Sequence, residues 1–292
     1  MGRILRSWDL LEQSFGVLMS DMEMLWLPVY AALASGAASL LLLSAGALLF
    51  SDQLITPTFA GPRLHNAAMT PGMWAALFVF YAVNFFIVVF FNVALVSVAG
   101  DRLSGGHATV NDGLALAWQR KVKIFEWALL AATVGILLRS LENSLKGLGR
   151  LTAGVFGASW SLACYFVVPV LAAENLGPVE ALERSAQLFG RTWGEELTGG
   201  FSFGLIFTLL GLPAVLFVFL GWGMGPMERL GGIALAVIYL LLLSVVSSAV
   251  KGVFVAALYH YATTKQATGG LRLEELAAAW RPKSAYSGYS AL

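Results

Sequence analysis

Long uncharged runs alternate along this chain with short stretches in which apolar and charged residues recur at helical spacing. Five runs contain no Asp, Glu, Lys or Arg: Met24 to Phe50, Pro71 to Gly100, Leu151 to Ala173, Leu197 to Met227 and Leu230 to Val250. Each meets the roughly 20 residues that a helix rising about 1.5 Å per residue needs to cross about 30 Å of hydrocarbon. A sixth segment is shorter. Trp127 to Leu138 is uncharged but bracketed by Glu126 and Arg139, so it spans only if its ends snorkel or face protein. The pattern predicts an all-α, polytopic membrane helix bundle of six transmembrane helices, at about 24–50, 71–100, 124–146, 151–173, 197–227 and 230–250. These form one transmembrane domain over residues 1–265, followed by a short amphipathic helix and a flexible tail over 266–292.

The stretches between the runs have a different period. Ile4, Trp8, Leu11, Phe15, Leu18, Met22 and Leu25 follow an unbroken 4-3 spacing into the first span, the mark of a helix with one apolar face. Val110, Leu114, Ala117, Trp118 and Phe125 repeat the pattern more weakly before the third span. Leu182, Ala186, Phe189 and Trp193 repeat it in "GPVEALERSAQLFGRTWGEEL", Gly177 to Leu197, where Glu180, Glu183 and Arg184 fall mostly elsewhere around the helix. Three interfacial helices are expected, at about 4–22, 109–123 and 178–195, each at the membrane surface. Low-identity repetition of helix plus hairpin, beginning near Ser7, Val110 and Val179, is the matching expectation for the whole chain.

Charge then orients the bundle, because Lys and Arg accumulate in short cytoplasmic segments. With six crossings and a cytoplasmic N-terminus, twelve Lys and Arg lie inside and five outside, leaving aside Lys251 at the inner end of the last span. Omitting the short third crossing changes this to ten and seven, so six crossings with both termini cytoplasmic is the expectation. The formal net charge of +1 and the scatter of basic residues argue against nucleic-acid binding and against a polybasic lipid anchor. A mean hydropathy of +0.77 places the chain well outside soluble domains. The N-terminus lacks a short apolar stretch with a small-residue cleavage site, so no removable signal peptide is expected. Cys164, the single cysteine, lies in an apolar run and offers neither a disulfide framework nor a thiolate metal site.

"SWDLLEQSFGVL", "WALLAATVGILLRS" and "SWSLACYFVVPVLAAENLGPVEALERSAQLFGRTWGE" resemble an uncharacterised bacterial integral-membrane family carrying a domain-of-unknown-function label, over roughly residues 3 to 265. The helix "EALERSAQLF" is similar to one in the membrane domain attached to some bacterial glycerophosphodiester phosphodiesterases, whose soluble catalytic barrel has no counterpart here. The resemblance implies a multi-pass protein of the bacterial cytoplasmic (inner) membrane and supplies no activity.

No catalytic constellation emerges. Gly157, Ala158, Ser159 and His260 suggest intramembrane serine proteolysis of the rhomboid kind. Ser159 falls about 12 Å down its span, however, and His260 about 45 Å along its own, too far apart for proton transfer. The glycine expected after the serine is Trp160. His65, His107 and His260 are isolated and match no metal motif, and "GWGMG" at Gly221 to Gly225 follows no strand, as a phosphate loop would. Neither enzyme activity, nor a cofactor, nor a metal is expected. What remains polar near the membrane is Asn84, Asn92, Glu126, Arg139 and Lys251, the positions from which a transport path would have to be built. Trp8, Phe15, Leu182, Arg184, Phe189 and Trp193 are the expected cytoplasmic interface. The leading expectation is a non-catalytic protein that organises or senses lipid or docks partner proteins, with membrane lipids, a second copy of the chain or another membrane protein as partners. The alternative is a transporter or channel for a small solute or lipid.

Overall fold

The computed structural model describes residues 22–51, 55–58, 61–64, 70–144, 148–193, 207–222 and 225–264. A 3-10 turn, Met22–Leu25, leads into α1, Trp26–Leu49. Strands β1, Ile55–Thr58, and β2, Gly61–Leu64, follow as an antiparallel hairpin in which Ile55 pairs with Leu64 and Thr58 with Gly61. The remaining elements are helices: α2, Pro71–Leu103; α3, Val110–Gln119; α4, Lys121–Ser144; α5, Leu148–Ala163; α6, Val167–Ala173; α7, Pro178–Trp193; α8, Pro213–Trp222; and α9, Pro226–Thr264. Among the described residues the hairpin is an addition to the all-α expectation, in a segment where β-branched Ile55, Thr56 and Thr58 sit among prolines and a glycine, residue types that weaken a helix.

Among the described residues, five stretches are long and apolar enough to cross a membrane: Met22–Leu49, Pro71–Leu103, Lys121–Leu141, Gly154–Ala173 and Met227–Thr264. The chain is a multi-pass membrane protein. The short third run becomes a full-length helix because Lys121, Val122 and Lys123 are good or tolerated helix residues that extend α4 below Trp127. In the expected fifth span the described apolar helix is Phe207–Trp222, about 24 Å long. The last helix outruns its expected end at Val250, continuing 13 residues past Lys251 to Thr264. A lysine does not stop a helix, and Val253, Ala256, Ala257 and Ala262 beyond it are buried.

The chain divides into two compact units, one comprising Trp26–Val98 with Thr109–Gln187, the other Met1–Leu25, Ala99–Ala108 and Leu188–Leu292. In the first, α1 and α2 are joined at Asn84, whose Oδ1 accepts from the hydroxyls of Ser35 and, at 3.0 Å, Ser39. Its Nδ2 donates to the Phe80 carbonyl at 2.9 Å. Helix α3 packs against α2 through Gly113, where a Cβ would come within 2.7 Å of the Ala94 carbonyl oxygen. Stacked Trp127 and Trp160, with ring centroids 6.0 Å apart, link α4 to α5. In the second unit α8 and α9 approach closely at Gly221 and Gly232, where an added Cβ would meet backbone at 2.5 and 2.4 Å. At Gly36 of α1, by contrast, nothing lies within 4 Å of an added Cβ.

Candidate functional site

The densest polar arrangement of the first unit lies where the α3–α4 corner meets the α6–α7 loop. Pro169 lacks an N–H and its ring opposes the carbonyl four residues earlier, so the helix breaks over Cys164 to Phe166 and resumes as α6. The break leaves the Phe166 N–H without a helical acceptor, and the fully buried Ser185 Oγ of α7 accepts it at 2.9 Å. Ser185 therefore fastens α7 to the interrupted span.

Helix α6 stops at Ala173, and just past its cap Asn175 has a left-handed φ of 51°, a conformation that Asn tolerates and that commonly terminates helices. Its last carbonyls carry partial negative charge and have no intrahelical donors. Two cations from the α3–α4 corner bind there, one on a carbonyl of the last turn and one on the Asn175 carbonyl just beyond the helix. Arg120 donates from Nη1 to the Leu171 carbonyl at 3.1 Å, and Lys123 donates from Nζ to the Asn175 carbonyl. Burial draws the Arg120 pKa below its ordinary value, yet a guanidinium stays protonated throughout the range in which proteins fold. Arg184 of α7 reaches back to Glu174, its Nε lying 3.0 and 2.9 Å from the two carboxylate oxygens, with both side chains mostly shielded.

Both connecting helices begin on sequence signals. Thr109 caps α3 in a reciprocal box, its N–H donating to Asp112 Oδ2 at 2.8 Å while Thr109 Oγ1 accepts from the Asp112 N–H. These bonds with Thr109, the backbone one foremost, hold the Asp112 carboxyl below its usual pKa. "GPVE" opens α7 with Pro178 at the first helical position and the Glu180 carboxylate accepting from the Gly177 N–H at 3.1 Å.

The polar residues of the first unit singled out in the sequence, Asn84, Asn92, Glu126 and Arg139, do not converge on one place. Asn84 is occupied in the α1–α2 junction, and the side chain of Asn92, half-buried, makes no hydrogen bond among the described residues. Glu126 is exposed beside Phe125, which meets Phe86 edge-on at 6.1 Å. Arg139 is exposed and donates to Tyr81 Oη at 2.8 Å; it stands about 27 Å along α4 from Lys121, near the full thickness of the hydrocarbon. In the second unit Lys251 is exposed, with its ammonium 5.9 Å from the Phe207 ring centre. On α7 the buried line runs Ala181, Ser185 and Leu188, while Leu182, Arg184 and Phe189 are half-buried beside it. Trp193 is the helix's last residue. Trp8 and Phe15, with the N-terminal interfacial helix and the tail over 266–292, lie outside the described residues.

Arg120, Lys123, Glu174, Asn175 and Ser185 were not legible as partners. The signals that could have pointed to them were Pro169, four residues after Tyr165, and a serine at Ala181, Ser185, Leu188 spacing on a helix face. Among the described residues no three His, Cys, Asp or Glu side chains gather as metal ligands. The cluster bridges backbone carbonyls and pairs charges; it sets no nucleophile beside a base.

No curated protein and no solved structure matches the chain. A family model does match, over residues 72–270, beginning at the second residue of α2 and ending beyond α9. With that match covering well over half of its length, the chain belongs to the DUF6159 family, a family of unknown function.

Proposed function

We propose that this is a non-catalytic protein of the bacterial cytoplasmic membrane. In this reading six helices cross the bilayer, both termini are cytoplasmic, and the interfacial helices organise lipid or present a docking surface to a membrane-protein partner or a second copy of the chain. The observation that carries the reading is how the polar groups are used. Asn84, the strongest position for a transport path, has its oxygen and one amide hydrogen taken by Ser35, Ser39 and Phe80. Arg120 and Lys123 are spent on holding the α3–α4 corner against the foot of α6, and the Arg184–Glu174 pair on holding α7 there. Such bonds rigidify a scaffold and leave little polar surface for a solute.

The bacterial and inner-membrane parts of the proposal are supported by the resemblance of the Glu180 to Phe189 helix to membrane domains of bacterial glycerophosphodiester phosphodiesterases, and by the excess of Lys and Arg on one side. The reading is tested by native mass spectrometry of the full chain from gentle detergent together with flux assays in proteoliposomes. Retained lipid or a stable oligomer, with no solute flux above empty vesicles, is the expected result. A solute-dependent flux that disappears in Asn84→Leu would overturn it in favour of a transporter.

A further inference from the structure

The α3–α4 corner has an outward face that its internal bonds do not explain. Trp118, Val122 and Phe125 are 61%, 61% and 49% exposed, at four- and three-residue spacing across the corner. Trp118 is braced from behind by Phe90, edge-on at 6.5 Å. The Lys121 ammonium lies over the Trp118 ring, 4.1 Å from its centre. Arg120, Lys121 and Lys123 put three cations within four residues, and none is within ion-pair distance of a carboxylate among the described residues. Arg120 and Lys123 give their hydrogen bonds to neutral carbonyls, which leaves their charge unbalanced. The acid nearest in sequence is the exposed Glu126, so the corner remains net positive.

A cation held over an indole, beside apolar side chains at a helix start, matches the layering of a lipid monolayer. The apolar groups suit the acyl boundary, the indole the glycerol level and the ammonium the phosphate. We propose that this corner binds the headgroup of an anionic phospholipid, with Lys121 contacting the phosphate, Trp118 at the glycerol level, and Val122 and Phe125 against the upper acyl chains. Arg120 and Lys123 stay on their carbonyls and do not contact the headgroup, so Lys121 carries the selection. The proposal rests on the interfacial placement argued above and names the lipid class and the residues that select it.

The test uses the full chain in vesicles of dioleoyl phosphatidylcholine and dioleoyl phosphatidylglycerol, with one lipid or the other carrying brominated chains that quench indole fluorescence on contact. The contribution of Trp118 is the difference between the native chain and Trp118→Phe. Brominated phosphatidylglycerol should reach Trp118 with a relative association constant on the order of fivefold above phosphatidylcholine, the preference one lysine near a lipid surface confers. Lys121→Gln should bring the ratio close to one, and Lys121→Arg should keep it. A ratio near one in the native chain, or a preference that survives Lys121→Gln, overturns the headgroup site and leaves the interfacial reading standing. Quenching of Trp118 by neither lipid overturns both, and would mean that protein or water covers the corner.

Discussion

Replacing Asn84 by leucine removes the acceptor of Ser35 and Ser39 and the donor to the Phe80 carbonyl. Interhelical hydrogen bonds in membranes average about 0.6 kcal/mol, because polar groups of the separated helices find other partners. Both serines can turn to carbonyls of their own helix, as Ser44 and Ser51 do at 3.0 and 3.2 Å, so the expected loss is about 1 kcal/mol. Asn92→Leu, at a residue whose side chain makes no hydrogen bond among those described, should be neutral. Unfolding in mixed detergent micelles reads both, and equal losses would show that the α1–α2 junction has no special role. The contrast also marks a limit of legibility. A lone asparagine in an apolar run is conspicuous, whereas Ser35 and Ser39 are common residues in such runs and gave no sign of meeting it. Arg120 and Lys123 were harder still, since their acceptors are backbone carbonyls, which leave no mark in a sequence.

Among the elements, α3 depends on its contact with α2 and on its N-terminal cap. Gly113→Ala would place a Cβ 2.6 Å from Val98 Cγ2 and 2.7 Å from the Ala94 carbonyl oxygen. Backbone cannot yield there without moving the helix, so overpacking should cost about 1–3 kcal/mol. Gly36→Ala has open space around it and should be tolerated; a matching loss there, in the same unfolding assay, would refute the role given to Gly113. The cap responds to pH. Because the Asp112 pKa is lowered in the folded chain, its contribution is fully present above the ordinary carboxylate value and is lost as pH falls through the lower folded one. The start of α3 should hold at neutral pH and loosen only in the acid range. Carboxyl NMR of labelled Asp112 should show a midpoint below that of an unstructured aspartate, and Thr109→Ala should raise it; a midpoint unmoved by Thr109→Ala would mean that the box is not formed. "GPVE" and the Thr109 to Asp112 spacing are local capping signals that the amphipathic spacing of these stretches did not bring out. The break before α6 was not legible, because Pro169 alone does not say which donor it frees or that Ser185 will receive it.

For the whole molecule, the number of crossings decides which faces share a compartment. Hydropathy made the long spans legible because the hydrocarbon core tolerates only long apolar helices with internally paired backbones. It was least informative where a helix continues past a charge, as α4 does below Trp127 and α9 does beyond Lys251, because helix continuity depends on backbone pairing and burial rather than on charge. The open step is the stretch between α7 and α9, where the described apolar helix Phe207–Trp222 has 16 residues, fewer than the roughly 20 a straight crossing needs. Two exposed positions on either side arbitrate, Glu183 on α7 and Met227 at the start of α9. In a Cys164→Ser background, Glu183→Cys should react with a membrane-impermeant maleimide only after the cells are opened, and Met227→Cys should react in intact cells. Six crossings require that opposition, since one passage through the bilayer then separates the two sites. Labelling of both only after opening would mean that Phe207–Trp222 dips into the membrane without crossing it. The C-terminus would then move to the outer side, and the Lys and Arg beyond Lys251 would lie where the positive-inside rule disfavours them.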